Sequence, residues 1–275
     1  MMPIMTALKL RTLVVTAIAV ASLVSADASA QTPAFEPRPG QPGKDVVWVP
    51  TPPELVEKML DMAQVTPQDV VIDLGSGDGR NVIAAAKRGA RAIGFEYNPE
   101  MVAISRRLAQ EAGVSDRATF VEGDMFEADI SKATVLALFL LPSNLDKLMP
   151  KFIALKPGTR IVNNTFGVTG WDPDASEKVE GTCTSWCTAL LNVVPAKVAG
   201  AWRAGTSDLT LTQEFQVVTG TLAGTALAAG RLNGDQITFT VGETQYTGRV
   251  SGDRIDGTAV SGSRSEPWSA TRRTP

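Results

Sequence analysis

Val70–Arg80 reads VVIDLGSGDGR, and this stretch decides the fold of the first half of the chain. Its first five residues form a short apolar run, which is typical of a strand buried on both faces of a parallel sheet. Three glycines then alternate with Ser76 and Asp78, so that the backbone can approach a ligand where a side chain would collide. A helix-forming run, residues 81–88, comes next. The stretch therefore predicts a strand, a glycine-rich turn that faces a ligand, and a helix.

The sequence on either side repeats this alternation of strand and helix. A second strand ends in Glu96, and Asn98 with Pro99 is a typical cap and first turn for the helix after it. Thr51 and Glu54 have the spacing of a capping box at the start of an earlier helix. Strands that alternate with helices predict an α/β fold with a doubly wound, Rossmann-like sheet. The predicted strands are 92–95, 119–121, 133–141 and 160–164, and the predicted helices include 98–112 and 144–155.

Charge decides which nucleotide-like ligand suits the glycine-rich turn. A dinucleotide fingerprint reads G-x-G-x-x-G and holds a pyrophosphate, whereas this chain reads G-x-G-x-G with Asp73 and Asp78 in or beside the turn. A carboxylate about 4 Å from a phosphate charge costs about 4 kcal/mol at an effective dielectric of about 20. A ligand with an ammonium and a sulfonium gains from the same carboxylates, and Glu96 can accept hydrogen bonds from ribose hydroxyls. S-adenosylmethionine is such a ligand, and it is the cofactor we predict.

The composition removes several classes of function. The 275 residues include no histidine, which excludes Ser-His and Cys-His nucleophile pairs and histidine-ligated zinc. Two cysteines are too few for a four-thiolate metal site. The formal net charge is −3 and no run of Lys or Arg could neutralise a row of phosphates. We therefore expect no metal and no nucleic-acid partner.

Three segments together, Asp73 to Arg80 (DLGSGDGR), Glu96 and Gly123-Asp124, resemble the class I S-adenosylmethionine-dependent methyltransferases. The resemblance covers about residues 46–172 and is greatest to the seven-strand protein-lysine methyltransferases, which include the non-SET histone methyltransferases and small bacterial relatives. It implies methyl transfer to an acceptor, with a protein lysine as one candidate. It also implies that Trp48 to Pro52 closes over the cofactor. The cofactor-binding residues implied are Thr51 in that segment, Asp73 and Gly75 beside the methionine part, Ser76 and Gly77 in the same turn, Glu96 at the ribose, and Asp124 with Met125 at the adenine.

The chain departs from the histone-modifying members at the end of the fourth strand. Those members carry Asn-Asn-Phe there, whereas residues 139–143 read FLLPS, so histone specificity is not implied. An apolar channel would disfavour the ammonium of a lysine and so promote loss of its proton. Two buried strands and their loops would show the same residue types, and no catalytic residue is assigned. The candidates for the channel are Leu140, Leu141, Pro142, Asn163, Asn164, Thr165 and Phe166.

The N-terminal residues predict export. Lys9 and Arg11 precede an apolar run of 13 residues, and small residues at Ala28 and Ala30 suit signal peptidase. The run is shorter than the roughly 20 residues of a membrane-spanning helix, so we expect a signal peptide at 1–30 and no stable membrane span after its cleavage. A proline-rich linker is predicted at 31–45. The expected location is the periplasm, or the cytoplasm if the segment is not a functional signal.

Residues 197–275 predict a second domain, a small antiparallel β-barrel or meander, after the methyltransferase domain at 46–196. Apolar residues alternate with threonines, Asn233-Gly234 indicates a tight turn, and glycines recur about every ten residues at 220, 230, 242, 252 and 262. Gly200-Ala201-Trp202 and Trp268 give a resemblance to lipocalin-like or avidin-like barrels. Cys183 and Cys187 are either an oxidised pair at a hairpin tip or two free thiols.

Location leaves one alternative function open. S-adenosylmethionine is made in the cytosol, and nothing in the sequence supplies it to an exported protein. The alternative is therefore an exported, non-catalytic nucleoside-binding or interaction protein built on a methyltransferase fold.

Overall fold

The computed structural model describes residues 35–181 and 183–273. The described residues from Pro37 onward belong to one compact unit. The predicted signal peptide and the first four residues of the predicted linker lie outside the described residues.

The helices are α1 (Pro53–Met62), α2 (Arg80–Lys87), α3 (Pro99–Glu111) and α4 (Pro142–Phe152). The strands of the first sheet are β1 (Val70–Leu74), β2 (Arg91–Glu96), β3 (Ala118–Glu122), β4 (Val135–Leu138), β5 (Arg160–Asn164), β6 (Ala175–Lys178) and β7 (Thr188–Val193). Those of the second are β8 (Gly200–Ala204), β9 (Ser207–Glu214), β10 (Val217–Leu222), β11 (Thr225–Ala226), β12 (Ala228–Asn233), β13 (Gln236–Val241), β14 (Thr244–Ser251), β15 (Arg254–Ser261) and β16 (Arg264–Arg272).

The first sheet has the strand order β3-β2-β1-β4-β5-β7-β6. Its first five strands are parallel, and β7 is antiparallel to both β5 and β6. The order of the strands reverses between β1 and β4, and open α/β sheets bind ligands at such a reversal, outside the carboxyl ends of the strands. The topology therefore places a binding site at the ends of β1 and β4.

Both faces of this sheet are covered, which confirms the predicted doubly wound α/β fold. Val71 of β1 packs in a core with apolar residues of α1, α2 and α3. Its neighbours Ile72 and Leu74 pack in a second core with α4. Successive side chains of a strand point to opposite faces, so one buried strand supplies both cores. None of the described helices is long and apolar enough to cross a membrane.

Two helix starts test the cap predictions with opposite results. Asn98 caps α3 as predicted, since its side chain accepts a 2.8 Å hydrogen bond from the backbone N–H of Glu100. The prediction that Thr51 caps α1 is wrong, because the N-cap is Pro52 and no side-chain cap bond forms. Thr51 and Pro52 each precede a proline, and a residue before proline is held in an extended conformation. The helix therefore begins two residues after Thr51.

The end of β4 also differs from the prediction. The strand stops at Leu138 instead of continuing to residue 141, and α4 begins at Pro142 instead of residue 144. Leu141 is extended, with ψ at 152°, and proline has the φ of a first helical turn and no N–H to satisfy there. Residues 139–141 are thus free of the sheet hydrogen bonds and form the connection to α4.

The second sheet closes into an eight-strand antiparallel barrel, as predicted. β16 pairs with β8, and β9 pairs with β10, so the meander has no open seam; the short β11 pairs only with β10. Arg272 stacks on the buried Trp202 at 4.3 Å and donates hydrogen bonds to the backbone before β8. The barrel core contains Val198, Trp202, Leu209, Leu211, Val218, Leu232, Ile237, Phe239, Ile255 and Ala270.

Three of the five regularly spaced glycines have the predicted turn role and two do not. Gly242, Gly252 and Gly262 lie in turns with φ of 58–59°. Gly220 and Gly230 instead lie inside β10 and β12. A Cβ on Gly220 would be 1.9 Å from a backbone oxygen of β9, and one on Gly230 would be 2.1 Å from a backbone oxygen of β10. These two glycines therefore allow close strand approach, which barrel closure requires.

The barrel packs against the amino-terminal edge of the first sheet. Trp171, shortly before β6, stacks on Phe215 with ring centroids 5.0 Å apart. Asp174 forms a 2.7 Å ion pair with Arg231 of β12. Gly234 lies against Gly158, which precedes β5. The barrel is therefore at the edge opposite the one where the parallel strands end.

Candidate functional site

A cavity of about 260 Å³ opens at the carboxyl ends of β1 and β4, where the strand order reverses. All eight residues predicted to bind the cofactor line it. The cavity walls are contributed by the segment before α1, by the turns after β1, β2 and β3, and by residues that follow β4 and β5. Its position agrees with the topological expectation for this class of sheet.

The glycine-rich turn is fixed to the neighbouring strand through its backbone. The N–H groups of Gly75 and Ser76 both donate to the carbonyl oxygen of Phe95, at 2.8 and 3.0 Å. Gly75, Gly77 and Gly79 have φ of 72°, 56° and 80°, a region that residues with a Cβ adopt at a cost. The glycines are thus needed for the path of the turn as well as for access to a ligand.

Glu96 is oriented by two backbone donors. Its Oε2 accepts from the N–H of Gly77 at 2.9 Å, and its Oε1 accepts from the N–H of Asn98 at 2.9 Å. A carboxylate oxygen has about two lone-pair sites, so each oxygen retains one. The fixed carboxylate can therefore accept from two adjacent hydroxyls, as on a ribose.

Asp73 is the most buried acid of the cavity, with 3% of its surface exposed. Burial raises its pKa well above the usual range, and the charges of Glu96 and Asp78 raise it further. Asn81 acts in the opposite direction, because its Nδ2 donates to Asp73 at 3.1 Å. Among the described residues, no cationic side chain lies within ion-pair distance of Asp73. A buried acid without a cationic partner fits the ammonium and sulfonium of S-adenosylmethionine.

Asp124 lies at the other end of the cavity. One of its oxygens accepts from the backbone N–H of Phe126 at 2.9 Å, and the other lies 2.6 Å from Nζ of Lys44. The hydrogen bond from Lys44 and that from Phe126 hold the pKa of Asp124 below its usual value. Met125 is 8% exposed and lines the cavity beside Gly75, since a Cβ on Gly75 would be 4.0 Å from its sulfur. An adenine that reached Asp124 would meet an ionised acceptor that is already paired with Lys44.

Residues 40–50 form a strap over the glycine-rich turn. The N–H of Gly40 donates to the carbonyl of Trp48 at 2.8 Å, and the N–H of Trp48 donates to the carbonyl of Gln41 at 2.9 Å. A Cβ on Gly77 would be 2.4 Å from Nε1 of Trp48, so the indole lies directly against the turn. Arg80 ties the end of the strap to α2 by a 2.6 Å hydrogen bond to the carbonyl of Thr51. The strap therefore forms one wall of the cavity and is attached to both the glycine-rich turn and α2.

The opposite half of the cavity is aromatic and apolar. Phe139, which follows β4, stacks on Phe166, which follows β5, with centroids 6.2 Å apart. Trp186, shortly before β7, lies 6.0 Å from Phe139. With Leu140 and Leu141 these residues form walls that contain no titratable side chain. Among the described residues, none of the side chains in this half can therefore act as a general base.

The structure brings only part of the predicted acceptor channel to the cavity. Leu140, Leu141 and Phe166 line it, whereas Pro142 and Thr165 are not part of its walls. Asn163 and Asn164 are buried in β5, with 1% and 0% of their surfaces exposed. Asn164 Nδ2 donates to Oγ1 of Thr51 at 3.4 Å, while both amide atoms of Asn163 have no hydrogen-bond partner among the described residues.

The sequence prediction lacks several residues of the cavity, among them Lys44, Tyr97 and Trp186. Lys44 lies in the predicted linker, whose prolines conceal that it folds back onto the site. Trp186 had a detectable signal, because a large aromatic residue between two cysteines is unusual in a polar loop. Cys183 and Cys187, left open by the sequence, form a disulfide with Cα atoms 5.8 Å apart.

Comparison with known proteins identifies relatives over this half of the chain. The ANTKMT methyltransferase domain family matches residues 73–175. A protein-lysine N-methyltransferase of Saccharolobus islandicus (strain REY15A) is 45% identical over 138 residues, 49% of this chain and 86% of the relative. The adenine nucleotide translocase lysine N-methyltransferase of Mus musculus is 38% identical over 133 residues, and the match spans 48% of this chain and 57% of that protein.

One solved structure agrees with these relatives. It is an RNA methyltransferase from Salinibacter ruber in complex with S-adenosyl-L-homocysteine. It is 45% identical with a TM-score of 0.51, and the match covers 55% of this chain and 96% of that chain. Its bound product is consistent with S-adenosylmethionine as the cofactor of the site described above. The chain therefore belongs to the class I methyltransferase family that includes the Saccharolobus protein-lysine N-methyltransferase.

Proposed function

We propose that this protein transfers a methyl group from S-adenosylmethionine to the side-chain amine of a protein lysine. The observation that supports the proposal most is the order of side chains along the carboxyl edge of the sheet. Asp124 follows β3, Glu96 ends β2 and Asp73 is the penultimate residue of β1, while Phe139 and Phe166 follow β4 and β5. An acidic half for a cationic nucleoside thus adjoins an apolar half for an alkyl amine. The Saccharolobus and mouse relatives are named as lysine N-methyltransferases.

The residues of the acidic half bind and orient. Glu96, fixed by Gly77 and Asn98, accepts from a diol, and Asp73 attracts positive charge. When bound, S-adenosylmethionine supplies a methyl group already activated by its sulfonium. The protein then has mainly to position the two reactants, which in favourable cases supplies about 7 to 11 kcal/mol of the barrier. The strap helps because it forms one wall of the cavity.

The apolar half prepares the acceptor. A lysine amine must lose its proton before it can attack, and low polarity disfavours the ammonium and lowers its pKa. Leu140 is 3% exposed, so an amine that has passed the partly buried Phe139 and Phe166 and lies beside Leu140 is largely removed from water. The proton can leave to solvent before the amine is enclosed. This route needs no side-chain base, which agrees with the absence of titratable side chains from the described walls of this half.

The test is methyl transfer to a defined acceptor. The purified full-length chain is incubated with methyl-labelled S-adenosylmethionine and a peptide library in which each lysine peptide has a norleucine twin. We expect label and mass increments of one methyl group in lysine peptides only, with equal amounts of S-adenosylhomocysteine. Asp73→Asn is the matched negative control. Absence of transfer to every lysine peptide and to a cell-envelope extract would contradict the proposal.

RNA is included as a separate arm because the Salinibacter relative is named as an RNA methyltransferase. The net charge of −3 argues against an RNA surface on this chain. Label found in total RNA and not in peptides would replace lysine by a nucleotide as the acceptor. The matches to named methyltransferases do not favour the non-catalytic alternative.

We also propose that the protein is exported to the periplasm. The apolar run before Ala30 supports this location, and a disulfide such as Cys183–Cys187 is typical of oxidising compartments. Cell fractionation with N-terminal sequencing is the test. A mature N terminus at Gln31 in the periplasmic fraction is expected, and an uncleaved protein in the cytoplasm would contradict export.

A further inference from the structure

The mouth of the cavity is unusually rich in exposed apolar side chains. Tyr97, Leu141 and Trp186 are 56%, 40% and 44% exposed, and all three line the cavity. Soluble proteins rarely leave large apolar side chains together in water without a ligand or partner for them. Tyr97 lies at the acidic end beside Lys44, so it belongs to the cofactor side. Leu141 and Trp186 remain as the outer rim of the acceptor side.

Trp186 is held there by a covalent ring. The disulfide joins Cys183 to Cys187, so Trp186 lies in a five-residue loop between β6 and β7. Its φ of 53° is rare for a large residue and is maintained only when the surrounding structure fixes it. Its side-chain contact on the sheet is Phe139, with the rings tilted by 56°. An opened loop would let the backbone relax and the indole leave this position.

The three rings form an enclosure with a defined chemistry. Phe139 stacks on Phe166 and meets Trp186, so aromatic surface is presented from the ends of β4 and β5 and from the loop before β7. Ring faces attract an ammonium, and the indole of tryptophan does so most strongly. The rings and Leu141 also cover a four-carbon alkyl stem, which buries apolar surface. A lysine side chain has both features, a cationic tip and an apolar stem.

We propose that Phe139, Phe166 and Trp186 form the entry site for the acceptor lysine and that the Cys183–Cys187 disulfide positions Trp186 within it. The site attracts the ammonium at the rim and passes the amine inward to Leu140, where charge is disfavoured. This proposal rests on the proposed function in that the acceptor is a lysine side chain. It adds that acceptor binding, but not cofactor binding, depends on the oxidised state of the loop.

The redox dependence has a simple balance. Dithiothreitol supplies two electrons and two protons, the sulfur–sulfur bond breaks, and Cys183 and Cys187 become thiols while dithiothreitol closes to its cyclic disulfide. The loop residues then keep their sequence but lose the ring. The double variant C183S/C187S imitates this state and cannot respond to the reductant.

Binding is measured without turnover, so that failure of this proposal and failure of the proposed function can be told apart. The oxidised full-length protein is saturated with S-adenosylhomocysteine and titrated with N-acetyl-lysine amide and with its neutral analogue, N-acetyl-norleucine amide. We expect millimolar binding of the lysine amide and weaker binding of the norleucine amide. We expect about tenfold weaker lysine binding for Trp186→Ala, the loss of one cation–π face and its contact area, and partial rescue by Trp186→Phe.

The disulfide has its own set of controls. C183S/C187S and reduction of the wild type should each weaken lysine-amide binding severalfold, and dithiothreitol should have no further effect on the double variant. The affinity for S-adenosylhomocysteine should change less than twofold throughout. Trp268→Ala, in the barrel, controls for general destabilisation and should leave lysine-amide binding unchanged.

Three results would overturn the proposal: no binding of the lysine amide to the wild type, equal binding of the norleucine amide, or equal binding by Trp186→Ala. Lysine-amide binding that needs Trp186, combined with absence of transfer to any lysine peptide, would leave this site intact and overturn the proposed function instead. If Trp186→Ala methylates lysine peptides as well as the wild type does, the proposed function stands and the proposed entry site is overturned.

Discussion

Nζ of Lys44 lies 2.6 Å from Oδ2 of Asp124 and 5.1 Å from the ring centre of Tyr97. The strap and the adenine end of the cavity are thus joined by an ion pair that any ligand reaching Asp124 must loosen. The two side chains are 34% and 28% exposed, so salt and water reach the pair. Exposed pairs of this kind contribute little to stability, and the effect of this pair should appear in ligand kinetics.

We predict that Lys44→Gln speeds the association of S-adenosylhomocysteine by about two- to fivefold, because the ligand no longer displaces an ammonium from Asp124. Raising the ionic strength should speed association with the wild type in the same way and should have little effect on the variant. Stopped-flow tryptophan fluorescence measures both rates. Equal salt dependence in the two proteins would show that the ion pair does not limit entry.

A second prediction concerns the contact of Trp48 with Gly77. Gly77→Ala places a Cβ 2.4 Å from Nε1 of Trp48 and must also adopt a φ of 56°. We expect the strap to be displaced and the affinity for S-adenosylhomocysteine, measured by calorimetry, to fall at least about tenfold, equivalent to about 1.4 kcal/mol.

Gly113→Ala is the matched control for that variant. Its φ is 70°, and no atom lies within 4 Å of the added Cβ, so it has the conformational cost without the collision. Both variants should lose about 1 kcal/mol of stability, the usual cost of a left-handed alanine. If Gly113→Ala weakened the cofactor affinity as much as Gly77→Ala, the contact with Trp48 would not be the cause.

The third prediction follows from the raised pKa of Asp73. Burial makes the folded-state pKa higher than the unfolded value near 3.8, so stability is lost as the pH rises from about 3.8 through the folded pKa. Asp73→Asn should therefore raise the melting temperature of the free protein by a few degrees while it weakens S-adenosylhomocysteine binding about tenfold or more. Wild-type affinity should also fall as the pH is lowered through the pKa of Asp73.

Asp69→Asn is the control, because the pKa of Asp69 is shifted in the opposite direction from that of Asp73. Burial raises the pKa of Asp69, but hydrogen bonds from Thr134 and Thr66 and the charge of Arg160 lower it further, so the net pKa lies below the usual value. Its contribution to stability is present above the unfolded pKa and is lost as the pH falls through the folded pKa. The control should melt earlier than the wild type at pH 7 and bind the cofactor normally. Calorimetric scans from pH 4 to 8 distinguish the two behaviours.

The sequence was sufficient for the five parallel strands, although not for β6 and β7, because the signals of the parallel strands are local. The run at Val70 and the glycines after it define a buried strand and its turn, and β5 has the predicted bounds, Arg160–Asn164. Boundaries failed at prolines: Pro52 is extended because it precedes Pro53, so it takes the cap position expected for Thr51, and Pro142 begins α4 earlier than expected. The regularly spaced glycines predicted the barrel. They could not show which glycines lie in turns and which allow close contact between strands, because both positions favour a residue without a Cβ.

The two halves of the site differed in how far they could be predicted. The acidic half lies within residues 73–125, directly after strands, so strand ends locate it. The aromatic half is assembled from Phe139, Phe166 and Trp186, which β7 brings together only by returning antiparallel beside β5. Such long-range juxtaposition leaves no local pattern. Of the strap, the family resemblance anticipated only the end, from Trp48 onward, since the proline-rich composition of residues 40–47 indicates an extended segment but not the surface that it contacts.

The last prediction concerns the barrel, which lies at the amino-terminal edge of the sheet, away from the cavity. Phe215 stacks on Trp171 at 5.0 Å, and its removal takes a ring from the contact between barrel and sheet. Phe215→Ala should lower the free energy of unfolding by about 2 kcal/mol, because Phe215 is only partly buried. Arg231→Gln, which breaks the ion pair with Asp174 at the same interface, should cost at most about 1 kcal/mol. Denaturant titration measures both, and S-adenosylhomocysteine affinity should change less than twofold in each. A large loss of affinity in Phe215→Ala would mean that the barrel supports the cavity across the whole width of the sheet, and that the two edges are energetically coupled.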